Sequence, residues 1–437
     1  MRPAEMSRPW PARTGAGIVL LVALVAALCA AILLPYFMAR WWANIPVLAF
    51  LSVASFFLTL WLGGRLCAHL WGANAGARFA TQAAGVLTVV FAISLYWLVL
   101  KPTPDPGNPA PFENTRYWRL PTGSRIAYSE IDPPPGVAIK PDPVVYVHGG
   151  PGVRQFHFDQ TIYGSLAKEG FKVFLYDQAG SGLSDFLPNI RDYTIGRAVE
   201  DLEAVRKEIG ADKMILVGHS FGSTLVASYM AKHPGHVAKV IFHSPGHIWN
   251  LHNEQIDVSR TDVKETPFPS LRLVAALLLT DQNPDAAQNL VSQREAEGLL
   301  IPLEDAQSGS LVCKGDSNRL PEDFAAFRTT HANPGINGYL VQYMFPQTLL
   351  AAEDPHEALR KDHTPAILLY PECNYVPWSG AVDFRKTMPN LKIYYIPHAG
   401  HYIQFEQEDL MRRIMIAFLL DQPDVIAPVR GDADPRS

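Results

Sequence analysis

The chain has 437 residues, 48% of them hydrophobic and only 18% charged, with a formal net charge of −5. A soluble domain carries about 25% charged residues, and at roughly 100–200 residues per domain this length holds two or three units. A disordered chain, a small disulfide scaffold and a basic nucleic-acid binder are excluded. The charge is split: residues 1–100 carry six arginines and one acid, Glu5, for a net of +5, and the remainder carries −10.

The first 100 residues predict a membrane anchor. Three uncharged runs, including GIVLLVALVAALCAAILLPYF, place helical spans at about 15–37, 45–63 and 80–100. Each approaches the ~20 residues that cross a hydrocarbon core, where only a helix satisfies the backbone. Trp41, Trp42, Trp61, Trp71, Tyr96 and Trp97 fall near the span ends, at interface depth. Arg2, Arg8 and Arg13 precede span one and Arg65 and Arg78 follow span two, against Arg40 alone between them. That asymmetry puts the N-terminus inside and residue 101 onward outside, in the periplasm or the extracellular space. Membrane lipid is therefore an expected partner.

Residues 101–116, rich in proline, read as a semi-stiff linker. From Tyr117 short apolar runs alternate with amphipathic stretches. YWRL and RIAYSEI read as a leading hairpin, then PVVYV, KVFLY, KMILVGH, KVIFH, AILLYP and LKIYYIP as buried strands. Helices between them predict an α/β fold, a mostly parallel sheet covered on both faces, over 117–245 and 363–420. The helix-like insertion 246–362 reads as a cap over the carboxyl ends of the strands, where open parallel sheets bind ligands. Residues 421–437 read as a loose tail. Cys67 is expected in a short loop, and two free thiols are the simpler expectation for Cys313 and Cys373. A disulfide there would require an oxidising compartment.

The sharpest motif is Gly218-His219-Ser220-Phe221-Gly222, between a predicted strand and a predicted helix. That setting makes a nucleophile elbow, lifting the Ser220 hydroxyl to the sheet edge. His148-Gly149-Gly150-Pro151-Gly152 follows an earlier strand, so the Gly149 or Gly150 N–H, with that of Phe221, could hold an oxyanion. A serine hydroxyl needs a base within reach, and His401, after the last strand, fits the chain order, with His398 as competitor. Gly180 and Gly182 read as a turn rather than a phosphate cradle. His243 and His247 flank Pro245-Gly246, which breaks the regular helix a metal-binding pair would need, so both read as structural.

HGGPG, DQAGSGLSD, GHSFGSTL and AGH together resemble the α/β-hydrolase superfamily, and most its proline iminopeptidase-type branch, over about residues 117–420. The resemblance implies Ser220 as nucleophile, His401 as base, and Phe221 with Gly149 or Gly150 as oxyanion hole. It implies a serine hydrolase for an ester, amide or short peptide, acting without cofactor or metal. Three positions depart from the branch: Ala179 replaces an arginine, GHSF replaces Gly-Gly-Ser-Trp, and Asn374 stands where the triad acid is expected. Three readings stay open. Glu372 supplies the acid, Asn374 only orients His401 in a slow hydrolase, or the site is a relic in a ligand-binding or sensing protein. A lipid-directed esterase or acyltransferase is a further alternative. In aminopeptidase relatives cap carboxylates hold the substrate amine, and Glu254, Asp257, Glu265 and Glu304 are the candidates here.

Overall fold

The computed structural model describes residues 10–70, 74–107, 109–249, 257–262, 264–265, 267–320 and 353–437. They fall into two compact units. The first is Met1–Thr103 with Pro269–Ser292, and the second is Pro104–Phe268 with Gln293–Ser437.

The first unit opens with α1 (Trp10–Met38), α2 (Ile45–Leu70) and α3 (Asn74–Leu95), the last extended by a π turn over Tyr96–Leu100. Gly17–Met38, Ile45–Leu70 and Arg78–Leu100 are each long and apolar enough to cross a membrane. Ala27, Ala31, Phe56, Leu60 and Ala84 form their shared core. Small residues set the approach of the helices: a side chain at Gly63 would collide with Ala23. Cys67 lies inside α2, not in a loop. Within that helix the Arg65 guanidinium lies over the Trp61 ring, 5.0 Å from its centre.

The second unit carries an eight-stranded sheet in the order β1-β2-β4-β3-β5-β6-β7-β8. Its strands are β1 (Thr115–Arg119), β2 (Arg125–Ile131), β3 (Val144–Val147), β4 (Val173–Tyr176), β5 (Met214–His219), β6 (Val237–His243), β7 (Ala366–Pro371) and β8 (Leu391–Ile396). The β1–β2 and β2–β4 pairs are antiparallel and the rest parallel. Burial on both faces explains why β3, β4, β5 and β7 read as unbroken apolar runs. Helices α4 (His157–Gly164), α5 (Ile195–Ile209) and α6 (Phe221–Lys232) cross between strands. In α5, Thr194 caps the first turn by accepting from the Arg197 N–H, and Gly210 ends the helix at φ 74°.

The stretch expected as one cap is divided. Its helices α7 (Leu271–Gln282) and α8 (Pro284–Leu290) belong to the first unit, and α9 (Gln293–Gln307) and α10 (His356–Arg360) to the second. Expectations for 321–352 lie outside the described residues. Two last helices, α11 (Trp378–Thr387) and α12 (Gln404–Leu419), complete the hydrolase-like core.

Residues 421–437 are not loose. The Val429 N–H donates to the Ile393 carbonyl at 2.7 Å, and Val425 and Ile426 pack on the core. Trp378 donates to the Asp432 carbonyl at 2.9 Å, and Arg385 pairs with the Asp432 carboxylate. Free β8 backbone groups at the sheet edge are what this segment covers.

Candidate active site

Ser220 separates β5 from α6 and sits at φ 51°, ψ −121°. A non-glycine residue there costs about 1–3 kcal/mol and persists only where its surroundings fix it. The Ser220 N–H donates to the His243 carbonyl at 2.8 Å, and the Ser220 carbonyl accepts from Ser223 N–H at 2.9 Å. The flanking glycines are required by close approach: a side chain at Gly222 would run into the Val147 carbonyl, and one at Gly218 into the Ser223 backbone. The result is a partly exposed serine among buried neighbours.

The loop after β3 runs beside it. A β-carbon on Gly149 would lie 2.9 Å from that of Ser220, so only glycine lets the backbone pass here. The loop after β4 braces this one. The Gln178 N–H donates to His148 Nε2 at 2.9 Å, and Gln178 Nε2 donates to the His148 carbonyl at 2.8 Å. Asp177 accepts from the Gln155 and Leu183 N–H groups, joining both loops. Burial pushes the Asp177 carboxyl up to about 6, against these two N–H groups and Arg154. Gly180 and Gly182 form the turn: Gly180 N–H donates to the Asp185 carbonyl, and Gly182 at φ 52° clears the Asp177 carboxylate.

His401 follows β8 and is 2% exposed. Its Nδ1 lies 2.8 Å from Asn374 Oδ1, and the Val376 N–H also donates to that oxygen, at 3.3 Å. A backbone N–H can only donate, so the amide oxygen, not the nitrogen, faces both groups. The Nδ1 proton is thereby placed on Asn374, and Nε2 is left as an acceptor. Among the described residues the buried Asn374 Nδ2 has no partner. The Tyr375 hydroxyl lies 3.3 Å from Nε2, with its ring 4.4 Å from the imidazole.

Glu372 does not stand at His401. Its Oε2 accepts from the His398 N–H at 2.8 Å and lies 3.7 Å from His398 Nδ1. His398 is at φ 51° in an exposed turn, and this carboxylate satisfies a backbone donor that the turn leaves free. Glu372→Gln keeps that acceptor, so kcat/KM in an ester-hydrolysis assay is expected to stay within about twofold of the starting chain, as at a surface position.

Three further features reach the His401 loop. Cys313 and Cys373 form a disulfide, Cα–Cα 5.2 Å, instead of two free thiols. It joins the segment before residue 321 to the residue beside Asn374. The two thiols lie 60 positions apart, a proximity only the fold creates. Segment 311–313 lies against Gly400, the Leu311 carbonyl accepts from Tyr402 N–H at 3.1 Å, and Glu406 accepts from the Cys313 and Gly400 N–H groups. From the tail, Arg436 stacks over the Tyr370 ring and donates to the Asn374 carbonyl at 3.3 Å. The adjacent Tyr375 was the one locally visible signal among these. Of the cap acids, Asp257 donates its N–H to the Tyr375 carbonyl at 2.9 Å, and Glu265 is exposed. Glu254 and the Glu304 side chain lie outside the described residues.

His401 and three further histidines, His148, His219 and His243, are all buried. The His219 ring lies 4.5 Å from that of His243 and 5.0 Å from that of His401. Tyr163 OH is 3.3 Å from His243 Nδ1. Burial lowers all four, His148 to about 4 and His219 to about 3. A folded-state pKa below the unfolded value means unfolding takes up protons, so stability is full above about pH 6.5 and falls below it. Each histidine contributes up to about 1.4 kcal/mol per pH unit, and Asp177, raised, opposes this only below about pH 6. Melting curves at pH 7.5, 6 and 5 are expected to show a progressive loss of Tm; a flat profile would sink this account.

The family described as alpha/beta hydrolase fold matches residues 142–408. A proline iminopeptidase of Heyndrickxia coagulans is 34% identical over 151 residues, 32% of this chain and 49% of that protein. The chain thus spans about half the length of that relative. A proline iminopeptidase of Xylella fastidiosa is 27% identical over 301 residues, 63% of this chain and 87% of that protein. An esterase structure from Rhodococcus superposes with a TM-score of 0.51 at 18% identity, covering 71% of this chain and all of that one, a likeness of fold. Motif set, sheet order and family match agree: the chain belongs to the α/β-hydrolase fold family, and within it resembles the proline iminopeptidases.

Proposed function

We propose that the second unit is a serine hydrolase that cleaves an ester or amide bond, including an N-terminal peptide bond, through an acyl-enzyme on Ser220. The observation that carries this reading is the Asn374 Oδ1 contact to His401 Nδ1, which keeps the proton on Nδ1 and the lone pair on Nε2, the atom that must act as base. In the cycle, Nε2 accepts the Ser220 proton as Oγ attacks the substrate carbonyl. The Phe221 N–H and that of Gly149 or Gly150 hold the oxyanion. The intermediate collapses, His401 returns the proton to the leaving group, and water then releases the acyl group by the same steps. No cofactor enters this cycle.

Asn374 orients the base but brings no negative charge to the imidazolium, so the reaction runs slowly. A second reading, a site that binds ligand without turnover, is favoured by the Tyr375 hydroxyl facing Nε2. A panel of aminoacyl arylamides and p-nitrophenyl esters, given to the chain in detergent, separates the two. Turnover of any member supports the hydrolase, and saturable binding without product supports the second reading.

The three apolar helices act as a membrane anchor and the second unit works outside the cytoplasm. The Lys/Arg asymmetry supports this orientation, as does the Cys313–Cys373 disulfide, a bond of oxidising compartments. Protease added to cells with a permeable outer barrier is expected to cut the second unit; protection would reverse the orientation.

A further inference from the structure

Within the first unit, all three apolar helices and α7 wall a cavity of about 330 Å³. Ile32, Leu48, Leu98, Val274, Ala275 and Leu278 line it. Three hydroxyls stand in the wall, and two are engaged elsewhere, Ser52 Oγ on the Ala31 carbonyl at 2.8 Å and Tyr36 OH on Asp281 at 2.6 Å; Ser94 is the third. A buried water needs two to four polar partners, so this space suits hydrocarbon, not water.

The gap is built by polar clamps at both ends of α7. At its start Arg272 donates to the Val99 and Leu290 carbonyls, each at 2.5 Å. Beyond its end Asn283 Nδ2 donates to the Ala39 carbonyl and Asn289 Nδ2 to the Ala43 carbonyl, both at 2.9 Å. Ala39, Leu48 and Ala286 close that end as a buried cluster. Between the clamps, α7 faces open space, and unfilled space forfeits the dispersion contacts of every lining side chain. The volume lies at the lower end of ligand pockets, about 300–1,000 Å³. A helix about 10–12 Å across is too wide to enter, whereas one flexible hydrocarbon chain is not.

We propose that this cavity binds one acyl chain of a phospholipid from the surrounding bilayer. α7, which lies in sequence between two stretches of the second unit, is then a lipid-binding element. The proposal rests on the membrane reading of the apolar helices.

The test uses the chain in nanodiscs containing a phospholipid with a photoactivatable acyl chain, with cross-links mapped by peptide. Labelling of 271–279 is expected to saturate with probe, and to be lost in Ala275→Trp and in Ala49→Trp, which fill the cavity from α7 and from α2. Labelling at the exposed Val22 and Val86, which line no cavity among the described residues, is expected to rise in proportion to probe and to survive both substitutions. Absent or unsaturable labelling of α7, or labelling unmoved by both variants, overturns the proposal. So does saturable labelling by a photoactivatable free fatty acid but not by the phospholipid. Release of the chain from membranes by alkaline carbonate would instead overturn the membrane reading itself.

Discussion

Asn374→Asp is expected to raise kcat for ester hydrolysis by about 10²–10⁴, the reverse of the loss an Asp→Asn change brings in a serine protease triad. The geometry asks for nothing to move. Oδ1 already accepts from Nδ1 of His401 at 2.8 Å, and the buried Nδ2 that the second carboxylate oxygen would replace has no partner among the described residues. A carboxylate adds the charge that would stabilise the imidazolium in the proposed attack by Ser220. Arg436, whose guanidinium reaches the Asn374 carbonyl, offsets part of the cost of burying that charge. The same substitution is expected to raise the His401 pKa, moving the acid limb of the rate profile to higher pH. The check is kcat with a p-nitrophenyl ester from pH 5 to 9. An unchanged rate with intact folding would remove Asn374 from the acid position. Asn374→Leu, which deletes the acceptor, is expected to fall below the starting chain.

Ser220→Ala is expected to abolish fluorophosphonate labelling in either background, while its kinetic cost depends on residue 374. Triad members act as a unit. In subtilisin, loss of the nucleophile costs about 2 × 10⁶ and loss of the acid alone about 3 × 10⁴. With an amide in the acid's place, much of that advantage is already missing, so Ser220→Ala should cost only about 10² in kcat. In the Asn374→Asp background the same change should cost about 10⁴–10⁶. Kinetics of the four chains measure this coupling directly. Equal losses in both backgrounds, or labelling that persists without Ser220, would place the chemistry on another residue.

Much of the fold was legible because it is written locally. Each strand is a short apolar run closed by Gly, Pro or a polar residue, and the sheet's burial on both faces makes those runs continuous. The three apolar helices announce themselves by length and lack of charge. The candidate site was legible as positions: Ser220 between strand and helix, glycines after β3, a histidine after β8. What the sequence could not supply was the direction of side chains in turns. Glu372 and Asn374 stand two residues apart, and only the turn decides that Glu372 meets the His398 backbone while Asn374 meets His401. Long-range pairings were equally hidden. The Cys313–Cys373 bond, the Arg436 contact to the Asn374 loop and the bonds of Arg272, Asn283 and Asn289 to the Val99, Ala39 and Ala43 carbonyls each join residues separated by 60 or more positions. α7 itself, at 12 residues, is too short to read as a span and so reads as an ordinary cap helix.

The disulfide also changes what a cut in the chain would do. Every peptide bond between Cys313 and Cys373 lies inside a covalently closed loop. A protease that nicks the chain there leaves two fragments tied at the residue next to Asn374, with Ser220 and His401 still in one molecule. Such a nicked species runs as a single band until a reductant is added. Scission within this loop therefore separates the two fragments only once the Cys313–Cys373 bond is reduced.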